Sequence, residues 1–324
     1  MQKLVLAGMA LGLVVVVLGA FTRLVDAGLG CPDWPGCYGH LLWPNTEAEV
    51  AAADARFPDM PVDHDKTWPE MVHRIVAGCL MLFVLALVIT TTRQDEGREV
   101  RTLSRVLLGL IILQAAFGMW TVTLKLWPQV VTAHLLGGFA TLSMLWAIYL
   151  KLGGLSGLQL SAQVRDSTKL LRLTVLGVVI LQIALGGWVT SNYAALACAD
   201  FPTCYGSYWP PMDVASGFDI FQSVGPNYLG GLLESEARVA IHWSHRLGAI
   251  AVTIGVIWLS LRLRPANATL SNILFALLAI QVTLGILNVV WTLPLTVATL
   301  HNAFGALLLL GLVTVNFAPA KGSS

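Results

Sequence analysis

The chain has 324 residues, 56% of them apolar and only 11% charged, with a mean hydropathy of +0.74. Soluble domains carry roughly 25% charged residues, so composition excludes an ordinary water-soluble protein and makes lipid the main solvent. A net charge of +1 without a basic run gives no nucleic-acid surface.

Eight apolar stretches approach or reach the ~20 residues that cross the hydrocarbon as a helix. They cover 4–21, 71–90, 106–124, 130–150, 173–193, 239–261, 270–290 and 295–317. The first follows Lys3 and could pass for a signal peptide. Its length argues for a retained helix, and its closing Gly19-Ala20-Phe21-Thr22-Arg23-Leu24 has a partial echo at the end of the fifth stretch. A loop over 24–68 follows, carrying Gly28-Leu29-Gly30-Cys31-Pro32-Asp33-Trp34-Pro35-Gly36-Cys37-Tyr38-Gly39. His40 and His64 in this loop have no later counterparts and read as solvated. Next to the second stretch stand Pro69 and Glu70-Met71-Val72-His73-Arg74, and Cys79 inside it reads as a small buried apolar residue. The third carries Gln114 and Gly118; the fourth follows Pro128 and holds His134.

From the fifth stretch the plan repeats, and internal repeats outrank single motifs. Gln182 and Gly186 precede a loop over 194–238 containing Cys198-Ala199-Asp200-Phe201-Pro202-Thr203-Cys204-Tyr205-Gly206. Both loops read Cys-x-Asp-aromatic-Pro-x-Cys-Tyr-Gly, and each first cysteine lies 12 residues after Gly19 or Gly186. His242-Trp243-Ser244-His245-Arg246 answers the Glu70 to Arg74 segment. Gln281, Gly285 and His301 answer Gln114, Gly118 and His134, with 20 residues from Gln to His in both cases. The predicted fold is all-α: eight transmembrane helices in two four-helix bundles, 1–155 and 156–324, related by a pseudo-twofold axis along the membrane normal.

Lysine and arginine set the orientation. With the N-terminus cytoplasmic, that side holds 12 of the 19 basic residues, from Lys3 to Lys321, so both termini are predicted cytoplasmic and both long loops extracytoplasmic. Four histidines, His73, His134, His245 and His301, then fall near the outward helix ends. Taking Pro69, Pro128 and Pro294 as first-turn residues puts the rings roughly 6–10 Å inside the helix starts.

One intramembrane histidine can be a simple interhelical hydrogen bond. Four in register, one on each even-numbered helix, point to metal, and imidazoles on facing helices suit heme iron better than zinc. The repeat pairs His73 with His134 and His245 with His301; His242 is the weaker ligand candidate. Arg74 and Arg246 either reach heme propionates or snorkel to the interface; Arg23, answered by Thr190, is a weaker case. Glu70 stands where the other half has His242, and either relays protons or complements a helix N-terminus. Gln and Gly four apart share a helical face and read as packing and interhelical bonding. Cys31 with Cys37 and Cys198 with Cys204 can be disulfide staples or redox-active dithiols.

Together these residues resemble the heme A synthase family, over essentially the whole chain. The resemblance rests on the Gly19 to Leu24 and Gly28 to Pro35 segments, Glu70-x-x-His73-Arg74, His134, His245-Arg246 and His301. Where many members place Ser or Thr before glycine after the Thr-Arg segment, this chain has Val25-Asp26-Ala27-Gly28. The resemblance implies heme b on His245 and His301, and a substrate heme, O becoming A, on His73 and His134, with Glu70 catalytic. It implies stepwise oxidation of a porphyrin methyl to a formyl group for cytochrome oxidase assembly. The expected partners are heme O, a heme O synthase, an electron donor and membrane lipid, with no nucleic acid; a homo-oligomer stays open. The start of the chain does not resemble a mitochondrial transit peptide, so the expected location is a bacterial inner membrane. A di-heme electron carrier and a heme transporter or chaperone are the rival readings. The first would place its hemes near opposite membrane faces.

Overall fold

The structure is a computed structural model and describes residues 1–320, so Lys321 lies outside the described residues. Among these, eight helices are long and apolar enough to span a bilayer: α1 Gln2–Leu24, α2 His64–Arg93, α3 Arg98–Thr123, α4 Pro128–Lys151, α5 Lys169–Ser191, α6 Ser235–Leu263, α7 Ala268–Val290 and α8 Leu295–Phe317. The protein is a multi-pass membrane protein. In lipid every backbone N–H and C=O needs an internal partner, and runs of Leu, Val, Ile and Ala satisfy that as helix. The ends are marked locally. Pro128 starts α4, where its missing N–H costs little. Asn267 caps α7 by accepting the Leu270 N–H at 2.9 Å.

Each half closes a ring of four helices. In the first, α1 packs on α2 and α4, while α3 bridges α2 and α4; α5 to α8 repeat the arrangement. The halves meet through α1 on α8, α4 on α5, and α4 on α8. These contacts map onto themselves when the halves are exchanged, as a twofold relation requires. The turns agree: Lys125 and Leu126 after α3 have φ of 49° and 60°, and Thr292 and Leu293 after α7 have 54° and 61°. Non-glycine residues seldom adopt positive φ, so two consecutive ones recurring 167 residues later mark the same turn built twice. Between the halves, the Trp146 indole N–H donates to the Thr314 hydroxyl at 2.7 Å, and Thr132 bonds Ser191 at 3.2 Å. Arg23 donates to the Thr190 carbonyl at 2.5 Å and lies 4.0 Å over the Tyr193 ring. Arg23 and Thr190 are each other's counterparts in the repeat, so their contact lies close to the axis.

Several expectations need correction. Helices α2 and α6 begin at His64 and Ser235, before the apolar stretches do, because polar first turns stand outside the hydrocarbon. Pro69 is therefore inside α2, and Pro294 caps α8 from outside. His73 and His245 sit nine and ten residues into their helices, roughly 14–15 Å at 1.5 Å per residue, farther from the helix starts than the expected roughly 6–10 Å. Cys79 is exposed on the outer surface of α2, not buried. In lipid that surface is as apolar as the core, so hydropathy could not tell the two faces apart. His64 is exposed as expected, but His40 is half-buried, its backbone paired with Cys37 at 2.9 and 3.0 Å.

Both cysteine loops close as disulfides, Cys31–Cys37 and Cys198–Cys204. An aspartate organises each. Asp33 accepts the N–H groups of Tyr38 and Gly39 at 2.6 and 2.7 Å; Asp200 accepts those of Tyr205 and Gly206 at 2.6 and 2.9 Å, and the Thr203 hydroxyl at 2.5 Å. The Thr203 hydroxyl, followed by the backbone donors, draws the Asp200 pKa down to about 2. The first loop also folds a short helix, Glu47–Arg56, capped by Thr46 and Glu49. The second loop leaves its own half. Tyr228 N–H donates to the Lys125 carbonyl at 3.0 Å, Trp127 to Gln222 O at 3.0 Å and Gln129 to Ile220 O at 3.0 Å.

Thr314→Val keeps the shape but strands the Trp146 N–H, and should lower stability by about 0.6–2 kcal/mol, read as a drop in Tm in detergent. Because the Asp200 pKa is depressed on folding, its contribution is complete above the unfolded value near 4 and disappears as pH falls through about 2. Hydrogen exchange at Tyr205 and Gly206 should stay protected at pH 5 and above; Asp200→Asn should lose that protection at every pH.

Candidate functional site

The four histidines occupy one recurring setting, in which the ring of an even-numbered helix lies on a glycine of the helix before it. A methyl group on Gly19 would come within 3.0 Å of His73 Cε1. The corresponding distances are 3.5 Å for Gly118 and His134, 3.3 Å for Gly186 and His245, and 3.1 Å for Gly285 and His301. Small residues let helices approach closely in membranes. Here the bare backbone also gives each imidazole a flat seat between helices.

Within the first half the His73 and His134 rings stand 6.5 Å apart, centre to centre, with planes at 88°. A metal–imidazole bond of ~2 Å plus about 1.1 Å from nitrogen to ring centre puts two rings on one ion about 6 Å apart. The observed 6.5 Å is close to that value, so the two rings could share one metal ion. Both rings are half-buried, and the Nδ1 atoms of His73, His134 and His301 are enclosed without a hydrogen-bond partner. In the second half His245 and His301 take the equivalent places on α6 and α8. Among the described residues no group of three or more His, Cys, Asp or Glu side chains gathers to cage a metal. Two imidazoles suit an ion that brings its other ligands with it, as porphyrin iron does.

Gln182 and Gln281 turn out to face the histidines. Gln182 Nε2 lies 3.1 Å from His245 Nδ1 and donates to the His245 carbonyl at 2.9 Å; Gln281 Nε2 lies 3.3 Å from His301 Nε2. Gln114 turns instead onto Gly137. The packing reading foresaw a bond across the interface but not its partner. The signal was available, since Gln and Gly on one face both point at a histidine placed at a fixed interval.

The residues preceding the histidines tie the loops down. Glu70 is buried; its carboxylate accepts the Cys31 N–H at 2.9 Å and pairs with Arg74. Arg74 also donates to the carbonyls of Asp33 at 2.8 Å and Gly36 at 2.5 Å. Across the repeat, the His242 Nδ1–H donates to the Ala194 carbonyl at 2.9 Å, which turns that ring toward the loop. Arg246 donates to the carbonyls of Cys198, Asp200 and Thr203 at 2.8, 2.9 and 2.8 Å. Each disulfide loop thus wraps its backbone carbonyls around a guanidinium. The two arginines differ in charge balance: Glu70 neutralises Arg74, whereas Arg246 has only neutral acceptors among these bonds and a buried Nε–H without a partner.

Comparison with known proteins fits this arrangement. The profile of the COX15-CtaA family, described as cytochrome oxidase assembly protein, matches residues 2–313. A heme A synthase of Shewanella oneidensis is 45% identical over 307 residues, covering 94% of this chain and 92% of its own. Heme A synthases of Chelativorans sp. and Caulobacter sp. are 29% and 28% identical, covering 95% and 91% of this chain and 88% of each relative. The matched span takes in all four histidines, both disulfide loops and Glu70, and the chain belongs to the COX15-CtaA cytochrome oxidase assembly family.

Proposed function

We propose that the protein is a heme A synthase, an oxidoreductase that converts the methyl group of heme O to the formyl group of heme A through an alcohol. The observation that carries this is the close His73–His134 pair, whose positions His245 and His301 repeat in the second half, with a buried carboxylate, Glu70, beside only the first. In this reading the halves 1–155 and 156–324 divide the work. His73 and His134 hold the substrate heme, and Glu70, one turn before His73, is the catalytic group beside it.

Bound on His245 and His301, heme b would supply one-electron transfer. Arg246, with an unpaired N–H and no carboxylate of its own, is the better placed arginine for a propionate. Arg74 can contribute to the substrate heme only by sharing itself with Glu70. Glu70 in turn fixes the Cys31 loop, so substrate-site geometry and loop closure are mechanically joined. The setting we assign is a bacterial inner membrane, as the bacterial relatives support, with both termini cytoplasmic on the lysine and arginine distribution. Heme O synthase and an electron donor are the expected partners.

Pigment analysis of cells with and without the protein tests the reading directly. Formyl porphyrin should appear only in its presence; its absence beside protein loaded with heme O would leave a carrier or chaperone. Glu70→Gln should retain heme but slow methyl oxidation by roughly 10²-fold or more, the usual worth of a positioned acid–base group. Full turnover in that variant would remove Glu70 from the chemistry. His245→Ala and His301→Ala should each lose stable heme b from purified protein, read by its absorption and by mass after extraction; an unchanged content would break that ligand assignment.

A further inference from the structure

Resting on the assignment of heme b to His245 and His301, we propose that Gln182 and Gln281 are positioning residues for those two ligands. Each accepts the ring N–H left on its histidine once iron holds the other nitrogen. A neutral imidazole has one donor and one acceptor nitrogen. Metal takes the lone pair, so the remaining nitrogen carries hydrogen and needs an acceptor, and such partners fix ring orientation and ligand strength.

Both glutamines have the parts for this. The Gln182 Nε2 already lies 3.1 Å from His245 Nδ1 and 3.4 Å from its Nε2, and the Gln281 Nε2 lies 3.3 Å from His301 Nε2. Their Oε1 atoms are both buried without a partner, an expensive arrangement for an amide oxygen. The two ends of an amide exchange places by a half-turn. One end serves the ring before loading and the other serves it afterwards. For Gln182 that turn exchanges its bond to the His245 carbonyl for one to the ring.

The first half lacks the device. Val15 occupies the position one turn before Gly19 where the other odd-numbered helices have glutamine, so no side-chain amide faces His73 from there. Gln114 lies against Gly137, away from His134. The tether thus belongs to the half that keeps its heme and is missing from the half that must release one.

The test uses purified full-length protein, with heme transfer to apomyoglobin as the readout of retention and spectroelectrochemical titration as the readout of ligand strength. Gln182→Leu and Gln281→Leu should lose heme b roughly tenfold faster and raise its reduction potential. Gln182→Glu and Gln281→Glu should restore retention and lower the potential, since a carboxylate draws the ring proton more strongly. Val15→Gln should slow heme loss from the first half. Leu variants with wild-type loss rates and potentials overturn the proposal, as do Glu variants indistinguishable from the Leu ones, which would make the glutamines packing alone. If the Leu variants do not accumulate, the potential of the Glu variants decides. The underlying assignment fails differently: heme b persisting in both His245→Ala and His301→Ala overturns the ligands themselves, whereas its loss there beside unaffected Gln variants overturns only the tether.

Discussion

Helices in a bilayer are not driven together by the hydrophobic effect, because lipid tails are as apolar as leucine; how near two backbones can come decides what lies between them. In this protein that constraint is settled at four glycines. Gly19, Gly118, Gly186 and Gly285 each leave room for a histidine ring from the next helix, and no methyl group would fit there without pushing the ring aside at three of the four. Register follows from this seat. A ring pinned between two helices fixes depth and rotation together, and four such pins place the imidazoles on one side of the membrane. Hemes held on such rings would both lie toward that side, which weighs against the reading as a transmembrane electron carrier.

Duplication supplied the frame, and the halves depart from it beside the histidines. Backbone geometry is repeated down to paired positive-φ residues in the turns and aspartates inside the disulfide loops. At the equivalent of Glu70 stands His242, and both reach the loop above them, one through a carboxylate and the other through a ring nitrogen. The structural job is kept while the charge differs. Beside one histidine pair the arginine is ion-paired to a buried carboxylate, whereas beside the other it is held by backbone carbonyls.

The spans, the repeat, the closeness of His73 to His134 and the matched cysteine loops were legible in the sequence because each rests on a local rule: helix length in lipid or self-similarity. What escaped has a common cause. Hydropathy ends where charge begins, so His64-Asp65-Lys66 and Ser235-Glu236 hid the first turns of α2 and α6. It also cannot separate a lipid-facing position from a core one, which misplaced Cys79. The partners of Gln182, Gln281 and Arg74 depend on where neighbouring elements come to rest, and no spacing within one helix encodes that.

The second long loop bonds across the α3–α4 turn of the opposite half through Tyr228, Gln222 and Ile220. Symmetry would call for a reciprocal arm, yet among the described residues the first loop makes no matching bond to the turn after α7. The molecule is therefore roofed from one side only. Cut into its two repeats, it would give unequal pieces, the first missing a cover that it does not itself encode. Two identical copies would carry either both arms or neither, so this lopsided roof is a feature of the halves' divergence.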